Sequence, residues 1–209
     1  MLDVYSGDGV IQWPAVKLAG HAIAYMKCTQ GTQHIDSHFR FNLARSLVSG
    51  IIPGAYHFLN ASSAIQQAQH FFSILTVSNW QYEHWLPVAL DIEPEGSGLD
   101  SDNVNLIDTV DRFITTFEKL SGFSPILYGD KDFLDKLDGE FSGHSLWLAQ
   151  YTDNETPELP IGWNDWLFWQ YSVNGSVPGV ENKTADLSRY NGTLEELKQR
   201  IKNEEWKKE

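Results

Sequence analysis

A single cysteine, Cys28, is present among 209 residues, which excludes an intramolecular disulfide and leaves packing to hold the fold. A cytoplasmic setting is therefore permitted. Met1 through Val10 contains Asp3 and Asp8 and has neither the basic start nor the apolar stretch of a secretory leader. No signal peptide is expected. Nowhere does the chain reach the ~18 uninterrupted apolar residues that a membrane span requires, so a soluble protein without a membrane partner is expected. Positive charge is also scarce: 15 Lys plus Arg face 28 Asp plus Glu, for a formal net charge of −13. Such a chain repels phosphate backbones and anionic membranes over about a Debye length, and nucleic acid is not an expected partner. Internal repeats and low-complexity linkers are missing too, so residues 1–209 read as one domain and a monomer.

The residues that are present favour a large core, with 42% hydrophobic and 13% aromatic content. Apolar, β-branched runs recur at Leu2 to Tyr5, Ala22 to Met26, Ile51 to Phe58, Val88 to Ile92, Pro125 to Tyr128, Leu146 to Ala149 and Trp166 to Tyr171, and they predict strands. Between them, helical periodicity covers Ser37 to Ser49, Ser62 to Ser78 and Asp102 to Leu120; Gly50 and Gly122 supply stop signals for the first and last. Strand alternating with helix predicts a parallel sheet, and this many strands in one domain predicts closure into a β/α barrel. After Tyr151 the alternation fails, because Pro157, Pro160, Gly162, Gly175, Pro178 and Gly179 occupy the next two connections. The last strands are therefore expected to be joined by loops or hairpins. A Thr193…Glu196 capping box opens a closing helix over residues 193–207, with Leu194, Leu197 and Ile201 on one face.

The sharpest local signal is Leu90-Asp91-Ile92-Glu93-Pro94-Glu95-Gly96. In a strand, Asp91 and Glu93 point one way while Leu90 and Ile92 point into the apolar layer behind. They stand at the C-terminal end of their strand, where β/α barrels build active sites. Like charges this close raise one pKa. That supplies the protonated acid and ionised partner which glycoside hydrolysis uses. An isolated Asp-x-Glu more commonly caps a helix or decorates a solvated strand end. A divalent metal is a third reading, weakened because His84 is the only histidine near the pair. Buried strands seldom end in two inward acids without a functional reason.

Further motifs follow in a fixed order: Asp3-Val4-Tyr5-Ser6 leading to Gly9 and Trp13, Lys27-Cys28-Thr29-Gln30-Gly31, and Gly54-Ala55-Tyr56-His57-Phe58. After Leu90 to Glu93 come Pro125-Ile126-Leu127-Tyr128, Leu146-Trp147-Leu148-Ala149, Trp169-Gln170-Tyr171 and Ala185-Asp186-Leu187-Ser188. Over nearly its whole length the chain resembles the family-25 glycoside hydrolases, the lysozymes found as phage endolysins and bacterial autolysins. It departs from their usual pattern with Tyr5 for Ser, Cys28 for Ala and Gln30 for Glu.

The resemblance implies an irregular TIM-like barrel of eight strands and about five helices, with no cofactor. It implies hydrolysis of the β-1,4 bond between N-acetylmuramic acid and N-acetylglucosamine in peptidoglycan glycan strands. Carried over by position, Glu93 is the general acid/base, Asp91 orients or charge-stabilises the acetamido sugar, and Asp3 and Asp186 complete a four-carboxylate cleft. Hydrolysis of a related acetamido polymer such as chitin, or a non-catalytic peptidoglycan-binding barrel, are the alternatives. Without a leader, holin-type release is the expected route to the wall, and no separate wall-binding domain is visible.

Because net negative charge disfavours adhesion to anionic wall polymers, affinity is expected from short-range sugar contacts. Tyr56, Tyr128, Trp147, Tyr151 and Trp169 are each either core or rim aromatics or sugar-stacking platforms. At least two are expected to stack, Tyr56 and Tyr128 first, with Gln170 and Lys27 as further substrate-binding groups. Lys27 ends an apolar strand, so its ammonium should seek an ion pair with Asp3 or Asp91. His57, next to Tyr56, should face the other way and make a structural hydrogen bond.

Overall fold

The computed structural model describes residues 1–180 and 184–208. Its elements run β1 (Leu2–Val4), α1 (Trp13–Leu18), β2 (Ile23–Gln30), β3 (His34–Ile35), α2 (Phe39–Val48), β4 (Ile52–Phe58), α3 (Ala64–Val77) and β5 (Ala89–Asp91). Then follow α4 (Leu106–Ser121), β6 (Ile126–Asp130), α5 (Lys131–Leu134), β7 (Leu146–Ala149), β8 (Phe168–Gly175), β9 (Ala185–Tyr190) and α6 (Leu194–Lys202). The sheet order β1-β9-β8-β7-β6-β5-β4-β2 closes through pairing of β1 with β2, and β3 hangs on the end of β2. The seven runs read as strands are the seven parallel staves. β9 lies antiparallel to both β8 and β1. This is the irregular barrel expected, with six helices among the described residues rather than about five. The six-residue α1 and four-residue α5 are too short to show periodicity in sequence.

Strand alternation sorts the core into two layers. Outward side chains such as Val4, Met26, Cys28, Ala55, Leu90, Ile92, Leu127 and Leu148 join the helix faces, including Leu43, Phe71, Val110 and Phe113, in one cluster. Inward side chains Tyr25, Ala89, Ile126, Trp147 and Phe168 form a second cluster, which Leu197 and Ile201 of α6 and Trp206 close from the N-terminal end of the barrel. Burial of each large apolar side chain contributes about 1.5–3 kcal/mol.

The ring of Tyr25 lies 4.6 Å from that of Trp147, and its hydroxyl donates to the Pro87 carbonyl at 2.7 Å. It occupies the space beside Gly54, where an added Cβ would come within 2.5 Å of the ring. Glycine at 54 is thus a packing requirement of the barrel interior. On the outside, α4 begins later than the periodicity predicts, because the Asn105 side chain accepts from the Asp108 amide at 3.0 Å and caps it there. It ends where Gly122 takes a left-handed conformation, φ 75°.

Candidate active site

The register of the staves decides which polar side chains meet. Asp3 on β1 pairs across to Asp186 on β9. Asp91, the last residue of β5, is flanked by Phe58 on β4 and Tyr128 on β6. Ladder hydrogen bonds continue one step further, from Leu59 N to Asp91 O and from Ile92 N to Tyr128 O. Glu93 therefore stays on the inward face two residues beyond Asp91. The turn after it is tied back by the Ser97 hydroxyl, which donates to the Glu93 and Pro94 carbonyls. All four acids line one cleft of about 190 Å³ at the C-terminal end of the parallel staves, with Lys27 as its cation. Tyr5, Tyr56, Phe58, Tyr128 and Trp147 complete its walls.

Burial sets the charge state of this cluster. Asp91 and Asp3 are both pushed well above the usual carboxylate range, chiefly by burial, then by the charges of Glu93 and Asp186 respectively. Lys27 opposes the shift at Asp91, and a hydrogen bond from Gln170 opposes it at Asp3. Glu93 is raised by burial and by Glu95 and Asp130, against a hydrogen bond from Tyr128. Asp186 is pushed up to about 6 by burial and by Asp8. Asp91 Oδ1 bears most of this cost, being buried without a hydrogen-bond partner among the described residues. The cleft thus holds four acids whose surroundings all favour the protonated form.

The remaining predicted residues fall in three places. Tyr56, Tyr128, Trp147 and Lys27 reach the cleft. Trp147 is nevertheless floor, 2% exposed, with its indole donating to Ser188 Oγ at 3.0 Å. Gln170 and Tyr151 join at the rim: Gln170 Nε2 donates to both oxygens of Asp3 at 3.2 and 3.1 Å, and the Tyr151 hydroxyl donates to Gln170 Oε1 at 2.7 Å.

Trp169 does not line this cleft. As the neighbour of inward Gln170 it faces out, its indole donating to the Gln150 carbonyl at 2.7 Å and its ring lying 4.1 Å from the Arg189 guanidinium. Lys27 also departs from expectation. Among the described residues it makes no ion pair within 4 Å. It donates instead to Gln30 Oε1 at 2.8 Å and lies over the Phe58 ring at 4.4 Å. Burial lowers its pKa, against the pull of Asp91 and Asp36.

Sequence reading left Tyr5 and Phe58 out of the site. Both follow an inward residue by two positions, Asp3 and Tyr56, and that spacing was the available signal. The Tyr5 ring passes over Gly7, where an added Cβ would lie 2.1 Å from it. His57 faces away from the cleft, as its neighbour Tyr56 requires, and bonds Thr29 Oγ1 at 2.7 Å and Gln67 Oε1 at 3.1 Å.

Comparison with known proteins places this architecture. Residues 2–180 match the family model described as Glycosyl hydrolases family 25. The match ends before β9, so Asp186 lies beyond it. The chain is 32% identical over 206 residues to "Lysozyme M1" of Streptomyces globisporus, covering 94% of this chain and 69% of that protein. A bacterial lysozyme from Streptomyces coelicolor superposes with a TM-score of 0.84 at 31% identity, over 97% of this chain and 96% of its own. A muramidase from Acremonium alcalophilum superposes with a TM-score of 0.81 at 25% identity, over 97% and 98%.

Proposed function

The chain belongs to glycosyl hydrolase family 25, a family of lysozyme-type glycoside hydrolases, and from that premise we propose that it cleaves the β-1,4 bond between N-acetylmuramic acid and N-acetylglucosamine in peptidoglycan. Glu93 is the general acid/base. Its raised pKa lets it hold a proton for the leaving oxygen. Asp91 orients the acetamido group of the reacting sugar, accepting its N–H at the oxygen that has no partner among the described residues.

With the acetamido group so held, its carbonyl oxygen attacks the anomeric carbon as the bond to the leaving oxygen breaks and Glu93 donates its proton there. A water then opens the cyclised intermediate and returns a proton to Glu93. Asp3 and Asp186 add negative potential where positive charge develops on the sugar. Tyr56 and the exposed Tyr5, 46% accessible, offer rings to sugar C–H faces.

The observation that carries this reading is the placement of Glu93 beside a buried, unpartnered Asp91 oxygen at the strand end. Product analysis of purified peptidoglycan after digestion tests it. Borohydride reduction of the fragments should label N-acetylmuramic acid at the new reducing ends. Label on N-acetylglucosamine would overturn the bond assignment, and equal cleavage of chitin oligomers would overturn the need for muramic acid.

A further inference from the structure

The turn after β1 carries Tyr5 to the edge of the cleft and is tied down from both sides. Within the turn, Tyr5 N donates to Asp8 Oδ2 at 2.8 Å, and Asp8 N donates back to the Tyr5 carbonyl at 3.1 Å. From the loop between β3 and α2, Asp36 Oδ2 accepts from Ser6 N at 2.9 Å while its Oδ1 accepts from His38 N at 2.9 Å. His38 adds a third tie, its Nδ1 donating to the Gly9 carbonyl at 3.1 Å. Asp36 is itself fixed to the barrel: it is buried, 3% exposed, and its amide donates to the Cys28 carbonyl of β2 at 3.0 Å.

These bonds hold backbone, and the backbone aims the Tyr5 ring. Tyr5 leaves β1 in an extended conformation, φ −141° and ψ 179°. Its ring then settles against Gly7, where only the absence of a Cβ leaves it room. The ring borders the cleft, with the Lys27 ammonium 6.0 Å from its centroid. A half-exposed side chain with no such seat would sample several rotamers, and ordering it on binding would cost affinity.

We propose that Asp36, together with His38, is a positioning residue that presets the pose of Tyr5, so that the glycan meets a ring already in place. One carboxyl oxygen holds the turn that carries the ring and the other holds the start of α2, so the platform is referred to the rigid barrel rather than to its own loop. Tyr5 stands where serine is usual in the family, so this platform is a feature of the chain itself. Contact between Tyr5 and glycan rests on the proposed muramidase reading, but the pose of the ring belongs to the free protein.

Two measurements test the clasp. Initial rates on solubilised peptidoglycan give KM and kcat, and the Tyr5 ring-proton NMR signals of the ligand-free protein, identified as those lost in Tyr5→Ser, report the pose. Asp36→Asn keeps the size of the side chain but leaves one acceptor oxygen for two backbone donors. It should shift the ring signals and raise KM roughly twofold to tenfold, the range expected for ordering one side chain on binding, with a much smaller change in kcat. Gly7→Ala leaves the clasp intact and pushes the ring off its seat, so it should move KM and the ring signals too, and it keeps the test open should Asp36→Asn fold poorly. Tyr5→Phe should keep the KM of the wild type, because the ring and not the hydroxyl is the platform.

A double-mutant cycle separates positioning from general support of the fold. In the Tyr5→Ser background Asp36→Asn should have no further effect on KM, since no ring remains to be aimed. Equal KM effects of Asp36→Asn with and without the ring overturn the proposal, as does an unmoved KM in both Asp36→Asn and Gly7→Ala. If the ring signals move as expected while the wild-type protein leaves peptidoglycan uncleaved, the clasp stands and the substrate reading fails. If cleavage is normal and Asp36→Asn moves neither KM nor the ring signals, the positioning role alone fails.

Discussion

Adjacent residues of β4 meet opposite environments: Tyr56 lines the acid-rich cleft, whereas His57 is sealed between the barrel and helices α3 and α4. On the sealed side every polar atom of the network is answered. His57 Nε2 donates to Gln67 Oε1, so Nδ1 accepts from the Thr29 hydroxyl. The Gln67 amide donates to the Asn60 and Ser62 carbonyls and accepts from the Asn60 N–H. The imidazole stacks on Phe113 at 5.0 Å, and burial lowers its pKa to about 3, so it stays neutral. On the cleft side, three aspartates and a glutamate share one wall system, and Asp91 Oδ1 has no partner among the described residues. Burial is common to both. Satisfied, it rigidifies the fold; left unsatisfied, it stores the strained charge states that chemistry draws on.

Four substitutions break or sharpen this contrast. The largest effect is expected from Glu93→Gln, which should lower the rate of peptidoglycan hydrolysis by roughly 10²–10⁴-fold, about 3–5 kcal/mol of barrier. Its melting temperature should be unchanged or higher, because a crowded acid has been neutralised. A loss of stability on the scale of a core mutation would erase the distinction between the two sides.

His57→Ala should do the reverse. It strips partners from Thr29 and Gln67 and opens a cavity beside Phe113, at a cost of about 3 kcal/mol. For a chain of this size that is roughly 6–12 °C in melting temperature. Rates measured well below the transition should remain near wild type.

Gly54→Ala probes the boundary between the packed interior and the cleft above it. The new methyl would press on the Tyr25 ring, costing about 1–3 kcal/mol by overpacking. Thermal melts measure that cost, and a parallel fall in hydrolysis rate would show that the floor of the cleft depends on Tyr25.

The smallest effect is a pH dependence. Asp186 is held up to about 6 in the folded chain, against an ordinary value of 3.8. The folded state therefore keeps this proton to higher pH than the unfolded state, and stability falls as pH rises from about 4 through about 6. Asp186→Asn removes the loss. With allowance for solvent screening of a half-buried group, the gain should be on the order of 1 kcal/mol at pH 7.5, or about 2–4 °C. At pH 3, where both states are protonated, melts of the two proteins should coincide.

Much of this arrangement was legible in the residues. Alternation placed Asp91 and Glu93 on one face and His57 opposite Tyr56, since the period of a strand is two and does not depend on its neighbours. Prolines and glycines after Tyr151 announced the missing helices, because neither residue sustains a crossover helix. For Trp169 the residues alone admit core, rim or sugar platform, because strand aromatics look alike in sequence, and only the inward placement of Gln170 shows which way its neighbour points. Lys27 was assigned an acid partner on charge alone, while the structure gives it Gln30, three residues away on the same strand, and the face of Phe58.

By itself, then, the chain determined what is local: the alternation of faces, the ends of helices, the excess of acid and the two carboxylates at one strand end. Tertiary structure alone decided which acids meet. Asp3 and Asp186 are separated by nearly the whole chain and become register partners only because β9 runs antiparallel to close the barrel against β1. Their raised pKa values have the same origin, since desolvation is a property of everything packed around a group, and no sequence window contains it.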